Sequence, residues 1–186
     1  MAGRTDRLRA VLLALAMLAL AITPSTDARA QNRSLEYAVK AAFLYKFFAF
    51  VDWPPGALGP PGQPVNLCVV GDDPFGGTLD QAGAGRVFDS HPVRVRRYRT
   101  ASSELECNVL YTRGSSAQSA AEIARMMANE PVLTVTDSDN PDEMAGILQF
   151  ALENGRVRFR VDLRAASDSG LTLNSKLLAI ALSVRR

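Results

Sequence analysis

Apolar residues recur at helical spacing after Ser34. Leu35, Val39, Phe43 and Phe47 fall four apart, Phe50 or Val51 closes the series, and Ala42, Leu44 and Phe48 widen the stripe. The pattern predicts a helix wrapped on most sides, with Ser34 as its cap. Pro54 restricts Trp53 and ends the helix there or earlier. The turn-rich segment GALGPPGQP, 56–64, follows.

The pattern then shortens. VNLCVV, 65–70, reads as a buried strand running into Gly71, and Asp72 or Asp73 is placed to cap a short helix opened by Pro74 and covering about Leu79 to Ala82. VRVRRY, 93–98, alternates like a half-buried strand: Val93 and Val95 share one face, Arg94 and Arg96 the other. CNVLY, 107–111, is a strand; Ser115 or Ser116 to Asn129 is a helix; PVLTV, 131–135, is a strand. That order implies a right-handed parallel crossover. ILQFAL, 147–152, and RVRFRVDL, 156–163, flank Asn154-Gly155, a hairpin signal. In the second of these strands Val157, Phe159 and Val161 face one way, and Arg156, Arg158 and Arg160 the other. Asn174 or Ser175 caps a last helix, Lys176 to Val184, whose apolar side is Leu177, Leu178, Ile180 and Ala181. The sum is an α/β sandwich in one domain. It has a mixed, mainly parallel sheet of five or six strands flanked by helices, and it closes with the hairpin and the C-terminal helix.

The first thirty residues change how the rest is read. Arg4, Arg7 and Arg9 precede the apolar run VLLALAMLALAI, 11–22; Pro24 breaks it, and Ala28-Arg29-Ala30 fits a small-x-small cleavage pattern. The run is short for a membrane-spanning helix, which needs about twenty apolar residues. Residues 1–30 are expected to be a cleaved signal peptide, and 31–186 a single periplasmic domain that does not span the membrane. The chain has 21 basic and 19 acidic residues; removing a leader with four arginines and two aspartates brings them into balance. A global nucleic-acid-binding role therefore loses its main support. Cys68 and Cys107 are the only cysteines. An even pair in an exported chain is a candidate disulfide, with two buried thiols as the alternative.

Little in the sequence points to catalysis. His91 is the single histidine, precedes Pro92 and reads as a surface turn residue, and no GxSxG stretch accompanies it. Asp72 and Asp73 read as cap and turn residues. Asp137, Asp139, Asp142 and Glu143 loosely resemble a hard-cation loop but lack the twelve-residue calcium pattern. No cofactor or metal site is expected. The arginines are more informative. If their strands are neighbours, Arg94, Arg96, Arg156, Arg158 and Arg160 form a basic patch for an acidic partner or small anion; otherwise they wet an open sheet face. Phe47, Phe50 and Trp53 are candidates for a partner or dimer surface, with core burial the competing reading.

Several stretches, in order, carry a resemblance: AAFLYKFFAFVDWP at 41–54, LCVVGDDPFG at 67–76, CNVLY at 107–111, VLTVTD at 132–137, GILQFALENGRVRFRVDL at 146–163 and LTLNSKLL at 171–178. Together they make the chain similar to the YfiR family of small periplasmic proteins. The resemblance implies a non-catalytic regulator, active as a homodimer. It would repress an inner-membrane diguanylate cyclase through its periplasmic region, lowering cyclic di-GMP and restraining biofilm formation. The alternative is a periplasmic binding module for a small anion that feeds a sensor kinase. The resemblance also implies a disulfide matching Cys68 and Cys107. A second cysteine pair known in the family has no counterpart here between Met144 and Leu152. Within the last family stretch, Lys176 sits in a helix first turn against the dipole preference, so a carboxylate such as Asp72 is a candidate partner.

Overall fold

The computed structural model describes residues 26–138 and 144–186. They fall into two compact units, one ending at Leu35 and one comprising Glu36–Arg186; the sheet belongs wholly to the second. In chain order the elements are helix α1 (Thr26–Phe47), β1 (Val51–Asp52), β2 (Val65–Gly71), α2 (Gly77–Gly83), β3 (Val87–Phe88), β4 (His91–Tyr98), β5 (Val109–Gly114) and α3 (Ala120–Met126). Then come β6 (Leu133–Asp137), β7 (Leu148–Glu153), β8 (Arg156–Asp162), α4 (Leu163–Asp168), β9 (Thr172–Leu173), α5 (Ser175–Ile180) and β10 (Ser183–Arg185). No helix among the described residues is long and apolar enough to cross a membrane.

The fold is α/β with a mixed, mainly parallel sheet, as the patterning implies. Eight strands lie in the order β10-β8-β7-β6-β5-β2-β4-β3, and β1 pairs separately with β9. From β4 through β2, β5 and β6 to β7 every neighbour is parallel; the β7–β8 hairpin and the β3–β4 pair are antiparallel. Asn154 and Gly155 both take positive φ, 49° and 72°, as a tight two-residue hairpin turn requires. The sheet is wider than the expected five or six strands because β3 and β10 join its edges. Two or three residues are too few to show alternation in a sequence.

The chain's ends differ most from the expected pattern. Helix α1 spans Thr26–Phe47 among the described residues, so Ser34 lies inside it rather than capping it. Helix α5 stops at Ile180, and the segment expected to continue it to Val184 turns into β10, parallel to β8. There the Leu182 N–H donates to Phe159 O, so an open sheet edge captures residues whose apolar spacing also suits a helix. Helix α3 starts after Ser119, not Ser115 or Ser116: Ser119 and Glu122 cap each other reciprocally. Helix α2 starts at Gly77, and Asp73 instead accepts from the N–H groups of Phe75 and Gly76 in the turn before it. Asn174 caps α5 as expected, accepting from Lys176 N–H.

Apolar side chains fill both sides of the sheet. Val65, Leu67 and Val69 of β2, Val109 and Tyr111 of β5, Leu133 and Val135 of β6, Leu148 and Phe150 of β7, and Phe159 and Val161 of β8 pack with Ala41, Leu44 and Phe47 from α1 and with Phe48 in the turn after it. The other face holds a smaller cluster in which Ile123 of α3 and Met127 cover Cys68, Val70 and Leu110. Within Glu36–Phe47 the buried stripe is Lys40, Ala41, Leu44, Tyr45 and Phe47, while Val39 is exposed. The helix is thus rotated from the apolar stripe by a lysine that has found partners inside.

Candidate functional site

Two glycines fix the C-terminal ends of the central strands. Gly71 ends β2 at φ +88° and Gly114 ends β5 at φ +80°; a Cβ on Gly71 would lie 2.6 Å from Gly114 O. The Asp72 N–H donates to that carbonyl at 3.0 Å, closing the seam between the two strands. The chain leaves β2 toward β4 on one side and returns to β5 on the other, the type of switch point where open parallel sheets place ligands. Because the β2–β5 seam is shut, the opening lies one strand along, between the ends of β5 and β6.

A charged cluster sits there. The Lys40 ammonium, buried, donates to both Asp137 oxygens at 2.8 Å and also reaches Glu36. The Tyr111 hydroxyl donates to Asp137 Oδ2 at 2.8 Å, and Lys40 lies over the Tyr37 ring at 4.8 Å from its centre. Arg113 donates to the Tyr37 hydroxyl at 3.2 Å. Burial works to lower the Lys40 pKa, but its bonds to Asp137 and Glu36 outweigh it and hold the ammonium above its ordinary value. Burial, and then the Asp137 charge, push the Tyr111 phenol well up. The cluster is therefore a locked ion pair with a neutral tyrosine, built to hold α1 on the sheet rather than to exchange protons near neutrality. Lys40 lay within the opening helix pattern, but only the fold brings Asp137, 97 residues later, to meet it.

The sequence candidates distribute as follows. Cys68 and Cys107 form a disulfide, Cα atoms 5.8 Å apart, tying β2 to the segment before β5. Phe47 cannot serve as a contact surface: it is fully buried, 5.4 Å from the Phe159 ring and 5.9 Å from that of Phe150. Phe50 and Trp53 are half-buried, and the Trp53 indole N–H donates to Phe48 O. His91 is buried rather than at the surface; Gln63 O lies 2.8 Å from Nδ1, which places the proton on that nitrogen because a carbonyl can only accept. Lys176 is exposed and forms no ion pair with Asp72. Asp139, Asp142 and Glu143 lie outside the described residues, and among the described residues no three His, Cys, Asp or Glu side chains gather as a metal site would need.

The arginines do not converge into one patch. Cross-strand pairs run Arg160–Gln149–Thr136–Thr112–Val70–Tyr98, so Arg94, Arg96, Arg158 and Arg160 share a face, but β7, β6, β5 and β2 separate β8 from β4. At about 4.8 Å per strand the two groups stand roughly 24 Å apart. Arg96 is engaged, donating to Asn66 Oδ1 at 3.1 Å, while Arg94 is exposed. On β8, Arg156 is exposed and Arg158 and Arg160 are half-buried; among the described residues the Arg158 Nε has no hydrogen-bond partner. Arg185 on β10 pairs with Asp162, the residue that caps α4. No residue of β7, β8 or β10 belongs to the core cluster beneath α3, yet Gln149 and Ala151 of β7, on the arginines' face, are buried. Arg97, which sequence reasoning passed over, is a structural latch: it bonds Asp73 at 2.7 Å, Asp80 at 2.6 Å and Gly76 O at 2.9 Å, fastening α2 to β4.

A family described as YfiR/HmsC-like matches residues 37–182, from the Tyr37 turn of α1 to the start of β10. A search of curated proteins finds no match. The family is regulatory rather than catalytic, and it suggests a periplasmic regulator of cyclic di-GMP signalling.

Proposed function

We propose, since the chain belongs to the YfiR/HmsC-like family, that it is a non-catalytic periplasmic repressor of an inner-membrane diguanylate cyclase. Repression lowers cyclic di-GMP and so limits biofilm formation. The match across residues 37–182 is the observation that carries this reading. In it, residues 1–30 are a cleaved leader, residues 31–186 are the working domain, and that domain acts as a homodimer on the periplasmic region of the cyclase.

The β8–β10 flank is the surface we assign to the partner. Arg156, Arg158, Arg160 and Arg185 share one face there, Arg156 exposed and Arg158 and Arg160 half-buried, opposed by Glu153 and the engaged Asp162, which leaves an excess of positive charge. Such a face suits an acidic polypeptide, since charge complementarity steers encounter and fixes register. Phe50 and Trp53, half-buried and flanking β1 in the chain, are the residues we assign to self-association.

Deleting the gene tests the reading. Cyclic di-GMP in the producing cell should rise and return to the starting level when the gene is restored. Arg158→Ala with Arg160→Ala should be exported at normal abundance yet fail to restore it. Unchanged cyclic di-GMP after deletion, across growth conditions, would overturn the function. Full restoration by the double variant would move the contact elsewhere.

A further inference from the structure

A cleft of about 590 Å³ opens beside the locked ion pair, at the C-terminal ends of β5 and β6. Asp137 lines it, Arg113 and Arg125 stand on its walls, and Ala120, Ala121 and Met144 supply apolar surface. Its size falls in the range of pockets that enclose small organic ligands.

Among the described residues the charges of this cleft are uneven in one direction. Asp137 is paired, since both its oxygens accept from Lys40 and one accepts from Tyr111; Lys40 is shared with Glu36, so the trio keeps one negative charge against the two positive charges of the arginines. Arg113 and Arg125 are exposed, and among the described residues neither forms an ion pair. Arg113 spends one N–H on the Tyr37 hydroxyl and Arg125 one on Ala121 O, which orients both guanidinium groups while leaving their other donors for a ligand. A guanidinium fork binds carboxylate or phosphate oxygens well. The opposite end of the same strands provides a contrast. A smaller cleft of about 330 Å³ near the disulfide is lined by Glu106 and Glu130 and by no lysine, arginine or histidine.

The geometry points to the β5–β6 cleft as a binding site for a small organic anion, with its carboxylate or phosphate head between Arg113 and Arg125 and its apolar body against Ala120, Ala121 and Met144. The site is distinct from the β8–β10 flank and does not depend on which partner the protein regulates. It also lies away from the arginines singled out in the sequence, because Arg113 and Arg125 belong to a strand end and a helix and share no alternating pattern.

The experiment uses the purified disulfide-bonded protein and three probes: octanoate, neutral octanamide of the same length, and inorganic phosphate. Amide chemical shifts are followed by NMR during titration. Octanoate should move resonances at Arg113–Ser115, Ala120, Ala121 and Ser138, and leave Glu106 and Glu130 unmoved. Octanamide should bind at least about tenfold more weakly, because it cannot make charge-assisted bonds. Phosphate should displace octanoate from the same resonances. Arg113→Ala and Arg125→Ala should each weaken octanoate about tenfold or more. Both side chains are exposed, and the unperturbed remainder of each spectrum verifies folding. The proposal is overturned if octanoate shifts nothing at millimolar concentration or perturbs another surface. Equal affinity for octanamide, or unchanged affinity in the arginine variants, also overturns it.

Discussion

Replacing Lys40 by methionine removes a charge without removing bulk. The Lys40 side chain is 4% exposed and that of Asp137 is 11% exposed, with both carboxylate oxygens 2.8 Å from the ammonium. Removing one member of a buried ion pair usually costs about 3–5 kcal/mol, because the remaining charge stays desolvated without its partner. Asp137 would keep the Tyr111 hydroxyl, and Glu36, 23% exposed, can turn to water, so the lower end applies: about 3 kcal/mol. With an m-value of about 2 kcal/mol per molar urea for a domain of this size, the midpoint should fall by about 1.5 M. Lys46→Met on the exposed side of the same helix is the control and should cost less than about 0.5 kcal/mol. Asp137→Asn removes the partner's charge while keeping an acceptor for Tyr111. In that background Lys40→Met should cost at least about 1.5 kcal/mol less. Urea unfolding by tryptophan fluorescence or circular dichroism reads the wild type and all four variants. If Lys40→Met matches Lys46→Met, or costs the same in both backgrounds, the ion pair does not hold α1 on the sheet and the account of the helix rotation fails.

Three further outcomes follow from the structure. Lys40, Tyr45 and Tyr111 all hold their protons more tightly when folded; for Tyr45, burial and then the Asp80 charge raise the pKa to about 12. A raised folded pKa gives stability that is complete below the unfolded value and lost as pH rises through the folded one. Urea midpoints should therefore fall from about pH 10 upward, and Tyr45→Phe should flatten that fall; a flat profile to about pH 11.5 would contradict it. Gly71→Ala, strained at φ +88° and directed at Gly114 O, should lower stability by at least about 2 kcal/mol, whereas Gly155→Ala, with open space around it, should cost about 1 kcal/mol; equal urea midpoints would remove the seam argument. Replacing both cysteines by serine should cost about 4 kcal/mol in the chain-entropy treatment of a bridge spanning 39 residues; a loss below about 1 kcal/mol would show that the bridge adds nothing to the core around it.

Much of the architecture was legible locally. Asn154-Gly155 between two alternating runs gave the β7–β8 hairpin, because a tight turn needs two residues that tolerate positive φ. The apolar run of β2 and the strand–helix–strand order from β5 to β6 gave a parallel core, since a strand apolar on both faces must be covered on both. The misplacements have a common cause. Helix and strand compete for Leu182 to Arg185 on nearly equal local terms, and the decision falls to a Phe159 carbonyl on a strand more than twenty residues earlier. Likewise Ser115, Ser116 and Ser119 are all reasonable caps by type, and only the reciprocal bond with Glu122 selects the last.

The candidate sites divide on the same line. By itself, the sequence determined the alternation that puts Val157, Phe159 and Val161 opposite Arg156, Arg158 and Arg160, and the spacing that made a helix of the segment around Phe47. Both are short-range consequences of backbone period, two in a strand and 3.6 in a helix. Strand order was not encoded at that range. The tertiary structure alone placed β7, β6, β5 and β2 between the two arginine-bearing strands, and it alone joined Lys40 to Asp137. Contacts between residues far apart in the chain depend on which surfaces can be buried together, and no local period records that.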